Sequence, residues 1–177
     1  MNKINFLFIV GFFALSLASS AQKTGYISLD QIVSLMPEVR KIDSLLQKYQ
    51  SDSLNPQFTY MVSEYNRKDS TVNGKDSLKT PAATRALIRQ EMEGLAYQIQ
   101  NWQQIVQNAL QNKQSELLDP VYRKAMTALR TAAKENGYTY VYNKEALLVA
   151  PEGDDLLMLV AKKLNLKVPA TAATPKK

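Results

Sequence analysis

The most regular hydrophobic pattern in the chain lies between residues 88 and 109. Apolar side chains recur there at alternating intervals of four and three residues, with Gln and Asn at many of the positions between them. This is the a/d spacing of a helix that packs along one narrow line, whereas a globular helix usually shows a broader apolar face. The pattern therefore predicts a coiled-coil seam formed by Ile88, Met92, Leu95, Ile99, Trp102 and Val106.

An earlier segment carries the same spacing and predicts the partner of that helix. It follows Pro37, which is tolerated in the first turn of a helix and so marks a fresh start. A proline removes an intrahelical hydrogen bond, so Asn55-Pro56 interrupts the pattern, and Pro56 can be interpreted either as a hinge or as a fixed bend. The expected contribution of this segment to the seam is Ile42, Leu46 and Tyr49, with the spacing continuing to Ser53.

A polar stretch separates the two segments. Residues 71–80 include Asn73-Gly74, which is typical of a turn, and Thr80-Pro81 is an N-cap residue followed by a proline suited to the first helical position. Two helices that flank a short turn pack most economically as an antiparallel hairpin. We therefore expect a helical arm over residues 37–119 with its tip at 71–80, and a further break or bend at Asp119-Pro120.

The segments on either side of the arm predict β-structure. Gly25 to Asp30 has the pattern of a short strand that ends at a helix-capping acid, and Gly137 that of a left-handed C-cap. Residues 138–142 and 146–150 then predict a β-hairpin with a three-residue turn. Asp154-Asp155 can cap a final helix.

These elements predict an α+β fold, mostly α, with a long antiparallel helical hairpin projecting from a small β-containing body. The body would comprise residues 22–36 and 120–167, followed by a flexible tail at 168–177. Three short strands are too few for a robust sheet, so we expect copies of the chain to assemble through the body and bury the β-hairpin. The expected oligomerisation residues are Tyr138, Tyr140, Tyr142, Leu147 and Val149.

The first 21 residues have the pattern of a cleavable secretory signal. A positive start at Lys3 precedes an apolar run and the small residues Ser19-Ser20-Ala21. The apolar run is shorter than the ~20 residues that a membrane-spanning helix needs. We expect cleavage near Ala21 and a soluble exported chain, with an uncleaved N-terminal anchor as the alternative.

The composition narrows the possible chemistry. The 177 residues include no Cys and no His, which excludes a thiol nucleophile, a Ser-His-Asp triad and a metal site built on thiolate or imidazole. The carboxylate pair Asp154-Asp155 is explained by helix capping. The sequence therefore predicts no enzyme, no cofactor and no metal site.

The net charge of +6 is unevenly distributed along the chain. Residues 37–119 carry ten basic and ten acidic side chains, whereas residues 120–177 carry ten basic and five acidic ones. The basic residues between Arg123 and Lys134 are interpreted as a solvated helix face. We therefore expect no nucleic-acid partner and at most peripheral contact with a membrane.

Five segments in a fixed order carry a resemblance to a known family. They are Gly25-Tyr26-Ile27, Met36-Pro37-Glu38-Val39, the Gln-rich helix, Lys134 to Val141, and Asp154-Asp155 with Lys162-Lys163-Leu164. In this order and spacing the mature chain resembles the OmpH/Skp family of periplasmic chaperones. The resemblance implies a periplasmic trimer whose β-rich body and three helical arms enclose a cavity, and a cavity that holds unfolded outer-membrane proteins without ATP. The neutral arm departs from the strongly basic cavities of that family.

A chaperone of this kind needs weak and numerous contacts, which aromatic side chains and methionine provide. Tyr49 and Trp102 lie on the predicted seam, where we expect them to hold the two helices together rather than contact a client. The candidates for client contact are Phe58, Tyr60, Met61, Tyr65 and Tyr97.

Three functions compete at this point. The first is an ATP-independent holdase that prevents the aggregation of unfolded outer-membrane proteins. The second is a structural coiled-coil adaptor of the cell envelope, which would bind one folded partner. The third is a peripheral lipid-binding protein that uses the basic C-terminal half. The broken, amide-rich helical pattern favours the holdase over a rigid adaptor.

Overall fold

The computed structural model describes residues 22–75 and 77–169, which divide into two compact units. The body unit contains the described residues up to Leu35 and those from Tyr122 onward, and the arm unit is Met36–Val121. The predicted signal at 1–21, and the predicted tail from residue 170, lie outside the described residues. The predicted fold class, mostly helical α+β with long helices and a small sheet, is confirmed.

Helices account for most of the described chain. In chain order the α-helices are α1 (Leu29–Leu35), α2 (Ile42–Tyr49), α3 (Asn55–Asn73), α4 (Ala82–Gln100), α5 (Trp102–Glu135) and α6 (Leu157–Lys163). Shorter helical turns are Val39–Lys41, Gln50–Leu54, Ser77–Lys79, Lys144–Ala146 and Glu152–Asp154. Within the described residues, no helix is both long enough and apolar enough to cross a membrane.

The body unit contains a two-stranded parallel sheet. Its strands are β1 (Lys23–Ile27) and β2 (Tyr138–Asn143), and Gly25 lies opposite Val141 in the register. The two strands are more than a hundred residues apart in sequence. Their pairing therefore joins the N-terminal segment of the described chain to the segment that follows α5.

The predicted β-hairpin is wrong. Beyond β2 the chain forms a 3-10 turn at Lys144–Ala146, and residues 147–150 form no strand with any other described residue. The Lys144 ammonium lies 2.9 Å from Asp155 Oδ2, and the Ser28 hydroxyl donates a hydrogen bond to the Glu145 carboxylate. These contacts hold the turn against segments that are distant in sequence. A local pattern of apolar residues cannot predict such contacts.

The core of the body unit is built from aliphatic side chains of its three helices. Ile32 of α1 and Val160 of α6 have no exposed surface, and neither has Leu156, which precedes α6. Ala125 and Ala132 of α5 are buried as well. Apart from Leu129, the buried positions of α5 in this unit are alanines, and most of the larger side chains come from the shorter helices and Leu156.

Two helix ends in the body match the sequence prediction. Gly137 follows α5 with a φ of 73°, the left-handed conformation that glycine adopts without steric cost. At the start of α6, the Leu157 N–H donates a hydrogen bond to Asp155 Oδ1 at 2.9 Å. The capping role predicted for the carboxylate pair is thus performed by Asp155.

Asp30, which we predicted as the cap of α1, has a different role. Because α1 begins at Leu29, Asp30 lies inside the first turn, where it accepts a hydrogen bond from the Tyr122 hydroxyl at 2.7 Å. Ser28 stands before the helix instead, and its backbone carbonyl accepts a hydrogen bond from the Ile32 N–H at 3.3 Å. The hydroxyl of the buried Ser28 also donates a hydrogen bond to Glu145. Ser28 therefore bonds both to the first turn of α1 and to the turn at Lys144–Ala146.

The arm unit is an antiparallel helical hairpin. Helix α3 packs against α4, and the Lys68 ammonium of α3 lies 2.5 Å from Glu91 Oε2 of α4. Farther from the tip, the Lys113 ammonium of α5 lies 5.6 Å from the ring centre of Tyr49 in α2. Residues earlier in the first half therefore meet residues later in the second half, which is the antiparallel arrangement that the spacing predicted.

Two predicted boundaries in the arm are wrong, and one interruption was not predicted. A helix begins at Ile42 rather than at Pro37, and α5 continues through Pro120 without a break. The second half of the hairpin is interrupted at Asn101 instead. There the Asn101 side-chain amide donates a hydrogen bond to the Tyr97 carbonyl at 2.8 Å, and such local side-chain bonds compete with regular helix hydrogen bonding.

The start of α4 also differs from the prediction. Pro81 rather than Thr80 occupies the cap position, with a ψ of 145°, and no side chain caps the helix. The Arg85 guanidinium reaches back from the first turn and donates hydrogen bonds to the carbonyls of Ser77, at 3.0 Å, and Thr80, at 2.8 Å. Arg85 therefore stabilises the tip in place of the expected cap.

A π-helical turn, Gln50–Leu54, leads directly into α3 at Asn55-Pro56, where the sequence predicted an interruption. The Asn55 N–H donates a hydrogen bond to the Gln50 carbonyl, five residues back. This wider turn inserts one residue into the apolar spacing, so that Leu54 is 3% exposed, whereas Ser53, which the regular spacing placed on the seam, is exposed. The π turn thus brings the buried face into register before Pro56.

A methyl group at Gly25 should destabilise the body unit. A Cβ at this position would lie 2.3 Å from Leu156 Cδ1 and 2.8 Å from a ring carbon of Tyr138, and Leu156 is fully buried. Because a buried side chain has little room to move aside, we expect Gly25→Ala to lower the free energy of unfolding by about 1–3 kcal/mol. Urea denaturation followed by circular dichroism measures the change.

Gly94→Ala is the matched control for that substitution. Gly94 lies at an exposed position in α4, and nothing is within 4 Å of a Cβ added there. This variant should raise the free energy of unfolding by about 0.5–1 kcal/mol, because alanine loses less backbone entropy in a helix. If Gly25→Ala were as stable as the wild type, the close packing of β1 would be contradicted.

Candidate functional site

The arm unit contains all the residues predicted for the seam, and none of its apolar members is exposed. Phe58 of α3 also stacks on Trp102 of α5, with ring centres 5.4 Å apart and planes tilted by 31°. Leu54 and Val72 are buried in the same unit and were missed by the regular spacing. Of the predicted seam residues, Ile42 and Met92 are buried, and Leu46, Tyr49, Ile88, Leu95, Ile99, Trp102 and Val106 are half-buried.

The residues predicted to contact a client fall into three groups. Tyr60 and Tyr97 are 64% and 69% exposed, so their rings are available to a partner. Phe58 and Tyr65 are half-buried. Met61 is only 4% exposed. Its assignment as a contact residue is corrected, because it follows Leu54 by seven residues and shares the buried face of the hairpin.

The arm as a whole has balanced charge, but its tip region does not. Six basic and two acidic residues lie between Arg67 and Arg89, so the excess of acidic residues falls on the rest of the arm. The prediction treated the arm as uniformly neutral and missed this division. Glu64, Glu91 and Glu93 border this range, so residues 64–93 together carry six basic and five acidic side chains. The positive potential is therefore modest and confined to the tip itself.

An ion-pair network joins the two helices near the tip. Glu64 accepts hydrogen bonds from the Arg67 guanidinium at 2.5 and 2.9 Å, and the Lys68 ammonium lies 3.5 Å from the same carboxylate and 2.5 Å from that of Glu91. The hydrogen bonds from Arg67, together with the positive charges of Arg67 and Lys68, lower the pKa of Glu64 to about 2. The carboxylate is therefore ionised over the whole physiological range.

The tip also presents one large apolar side chain to solvent. Leu78, in the 3-10 turn between α3 and α4, is 87% exposed. The backbone around it is held by Arg85, so the exposed leucine sits on a fixed turn. The composition of residues 71–80 predicts only a polar turn, and Leu78 carries no periodic signal that would single it out.

The body unit exposes a second apolar surface. Tyr140 and Tyr142 of β2 are about half exposed, Leu148 and Val149 are almost fully exposed, and Leu147 is half-buried. The Tyr138 ring is half-buried, with the Lys23 ammonium 4.0 Å from its centre. Among the described residues, β2 pairs with β1 alone and therefore has one unpaired edge.

A groove in the body unit lies beside that edge. It has a volume of about 390 Å³ and is formed by α5 and β2. Its lining combines apolar side chains with two cationic ones. The lining residues are Met126, Leu129, Ala133, Tyr138, Thr139 and Val141, with Arg130 and Lys134.

The titratable groups of the body serve structural contacts. Burial, followed by the negative charge of Asp155, raises the pKa of Tyr26, and the hydrogen bond to Asp30 raises the pKa of Tyr122. The hydrogen bond to Asp155 likewise raises the pKa of Lys144. Each shift strengthens the protonation state that the group already has at neutral pH. In the part of the chain that the structure describes, no three carboxylates lie close enough together to hold a metal ion.

Comparisons with known proteins point to one family. A family model described as outer membrane protein (OmpH-like) matches residues 23–164. The crystal structure of a protein from Caulobacter crescentus, described as an OmpH-like outer membrane chaperone, has 14% sequence identity and a TM-score of 0.49 over 84% of this chain and 86% of that one. No curated protein sequence matches the chain.

The Glu64 network predicts a dependence of arm stability on pH. The folded pKa of about 2 is below the ordinary value of 4.5, so the contribution of Glu64 is complete above about pH 4.5 and is lost as the pH falls toward 2. We expect Glu64→Gln to lower the thermal midpoint of helix unfolding at pH 7 and the difference from the wild type to vanish near pH 2. Circular dichroism at a series of pH values measures it.

Glu93→Gln is the control for this pH series. Glu93 is an exposed glutamate of α4 outside the network described above. The Glu93→Gln substitution removes one negative charge, as Glu64→Gln does. Its effect on the thermal midpoint therefore reports the loss of a charge without the loss of the network. The thermal midpoints of the wild type and Glu64→Gln are compared from pH 7 to pH 2. If their difference stayed constant over this range, a role for the Glu64 carboxylate would be contradicted.

Proposed function

Because the chain belongs to the OmpH-like outer membrane protein family, we propose that it is an ATP-independent holdase chaperone of the periplasm. Its clients would be unfolded outer-membrane β-barrel proteins, which it would hold in a cavity bounded by the arms of an assembled oligomer. Holding them there would prevent their aggregation before insertion. The signal-like segment that ends near Ala21 supports export to that compartment.

The observation that carries this proposal is how the arm distributes its aromatic side chains. Ile42, Leu54 and Met92 are buried in the arm. Tyr60 and Tyr97, by contrast, each expose about two-thirds of their surface. A tyrosine combines a large apolar ring with a polar hydroxyl. Such side chains can contact many different unfolded segments without demanding a particular shape.

Weak contact is an advantage for this function. A holdase must release its client to the next protein in assembly, and it has no nucleotide cycle to drive release. Each contact at Tyr60, Tyr97 or the half-buried Tyr65 contributes only modestly to client binding. The contacts can therefore break one at a time as the client leaves. A folded partner would instead need a continuous complementary surface, as the adaptor function requires.

The charge distribution of the arm supports an encounter between the tip region and acidic client segments. Arg67 and Lys68 are paired with Glu64 and Glu91. The positive potential at the tip therefore comes from residues 69–90, which carry four basic and two acidic side chains. This attraction acts over about a Debye length and weakens as salt increases. It would guide capture, while the aromatic side chains would hold the captured segment.

The body unit supports assembly of several copies. The unpaired edge of β2 and the exposed Leu148 and Val149 form an apolar surface that a single chain leaves uncovered within its described residues. Unpaired strand edges beside apolar side chains associate readily with another chain. We propose that this surface joins copies of the chain, and the family resemblance favours a trimer.

Removal of the exposed tyrosine rings should weaken client binding. We expect Tyr60→Ser with Tyr97→Ser to weaken binding of a urea-unfolded outer-membrane β-barrel protein by roughly threefold to tenfold, because two large contact surfaces are lost. Light scattering after dilution from urea, at one client per oligomer and without nucleotide, measures the protection.

The matched control is Tyr60→Phe with Tyr97→Phe, which keeps the rings and removes only the hydroxyl groups. It should protect the client almost as well as the wild type does. If the wild-type protein left the client to aggregate but bound a folded envelope protein, the adaptor function would replace the holdase function.

Charges introduced into the exposed body surface should disrupt assembly. We expect the wild-type chain from Gln22 onward to sediment as an oligomer and Leu148→Asp with Val149→Asp to shift it toward the monomer, because buried unpaired carboxylates are costly. Leu87→Asp, at another exposed leucine in the arm, should leave the sedimentation coefficient unchanged. Sedimentation of the wild type as a folded monomer would rule out the proposed assembly.

A further inference from the structure

The second half of the arm carries a row of uncharged amides that begins at the last residue of α4 and continues along one face of α5. Starting from Tyr97, successive members follow at intervals of three, four, three, four and three residues, which keeps them on one side of a helix. All are exposed. We call this row the amide stripe; its members are Gln100, Gln104, Gln107, Gln111 and Gln114.

The stripe lies in a segment from which charge is absent. No Asp, Glu, Lys or Arg occurs between Glu93 and Lys113, although the arm carries twenty charged residues elsewhere. An exposed helix is ordinarily kept soluble by Lys and Glu, which also form helices at least as well as Gln does. Solubility and helix formation therefore do not explain why this segment contains amides and no charged residues.

The seam does not account for the stripe either. The half-buried Ile99, Trp102 and Val106 form the inward side of the same segment, and the stripe occupies a separate, exposed side. Within the described chain, Gln104 is the one member whose side chain bonds to another residue, donating to Asn108 Oδ1 at 3.0 Å. The other amides keep their donors and acceptors available to a partner.

The chemistry of a side-chain amide matches that of a peptide group. A glutamine offers a carbonyl acceptor and N–H donors, and each residue of an extended polypeptide, except proline, offers one donor and one acceptor. An unfolded chain exposes these groups along its whole length, whatever its sequence. An uncharged stripe can bind them without selecting for or against charged clients.

The spacing of the stripe favours loose binding over a fixed register. Its members are on average 3.5 residues apart, or about 5 Å along the helix at 1.5 Å per residue. Equivalent groups on one side of an extended chain repeat about every 6.6–6.8 Å. The two repeats do not match, so only some of the amides can bond at once, and the client can slide without losing all its bonds.

We propose that the amide stripe binds the main chain of an extended, unfolded polypeptide. This inference deepens the proposed holdase function and rests on it for the identity of the client. Tyr97, at one end of the stripe, adds an aromatic contact to the hydrogen bonds. Recognition through the main chain gives the arm a sequence-independent hold that differs from the charge-based attraction at its tip.

The first test removes amides from the stripe and leaves the helix intact. Gln100→Ala, Gln107→Ala and Gln111→Ala combined should weaken binding of a urea-unfolded outer-membrane β-barrel protein by about tenfold, since each lost hydrogen bond contributes modestly. Alanine is the best helix former, so folding is preserved. The loss should be the same at low and high salt, because the bonds are neutral.

The matched control replaces three exposed amides off the stripe: Gln57→Ala, Gln98→Ala and Asn112→Ala combined. Both triple variants leave the bond between Gln104 and Asn108 in place. The control should bind the client as the wild type does. Equal losses in both variants, or no loss in the stripe variant, would overturn the proposal.

A second test separates this inference from the holdase function. An unstructured peptide of Ser, Thr and Ala residues is titrated into the wild-type protein, along with an analogue that is N-methylated at alternate residues. Side-chain amide signals in NMR spectra should shift with the first peptide and respond about tenfold more weakly to the second, because methylation removes main-chain donors. In the stripe triple variant this discrimination should disappear.

The two tests fail in different ways. If the wild-type protein did not protect a β-barrel client, the holdase function would be rejected, while the peptide titration would still report on the stripe. If the client were protected but the two peptides shifted the amide signals equally, the stripe proposal alone would be rejected. Shifts confined to other amides would also reject it.

Discussion

Each half of the arm has one narrow line of apolar side chains, and that line must face the other half along the whole hairpin. A two-helix unit has no further layer in which to bury a misplaced residue, so a shift in register directly exposes apolar surface. The π turn at Gln50–Leu54 meets this constraint. Its extra residue places Leu54 rather than Ser53 on the buried side, and the helix then continues through Phe58 and Met61 in the same register.

The surface of the arm outside the seam is available for other interactions. Three kinds of surface occur along it: a basic region between Arg67 and Arg89, the exposed rings of Tyr60 and Tyr97, and an uncharged amide segment. They act through salt-sensitive attraction, apolar contact and neutral hydrogen bonds respectively. An unfolded chain can meet them in any order, whereas a folded partner must meet them in a fixed arrangement.

Local periodicity made the arm predictable, and long-range contacts made the body less so. The spacing from Ile88 to Val106 depends on neighbouring turns of one helix, and the structure exposes none of those residues. Met61 was misassigned because the regular spacing was not followed past Pro56. The parallel pairing of Lys23–Ile27 with Tyr138–Asn143 could not be read from either segment alone, and a residue that bonds across the fold, such as Ser28, carries no local signature.

The incorrect hairpin and the exposed apolar surface of the body have a common origin. Residues 146–150 are apolar throughout and strand-like in composition, which is why a local partner for β2 was predicted. In the described chain Lys144 and Glu145 are bound to Asp155 and Ser28 instead, and the apolar residues that follow are left without a strand partner. An unpaired edge of β2 and a strand-like segment that follows it in sequence are both available to pair with another copy of the chain. The failure of the intrachain prediction is thus itself an argument for assembly through the body.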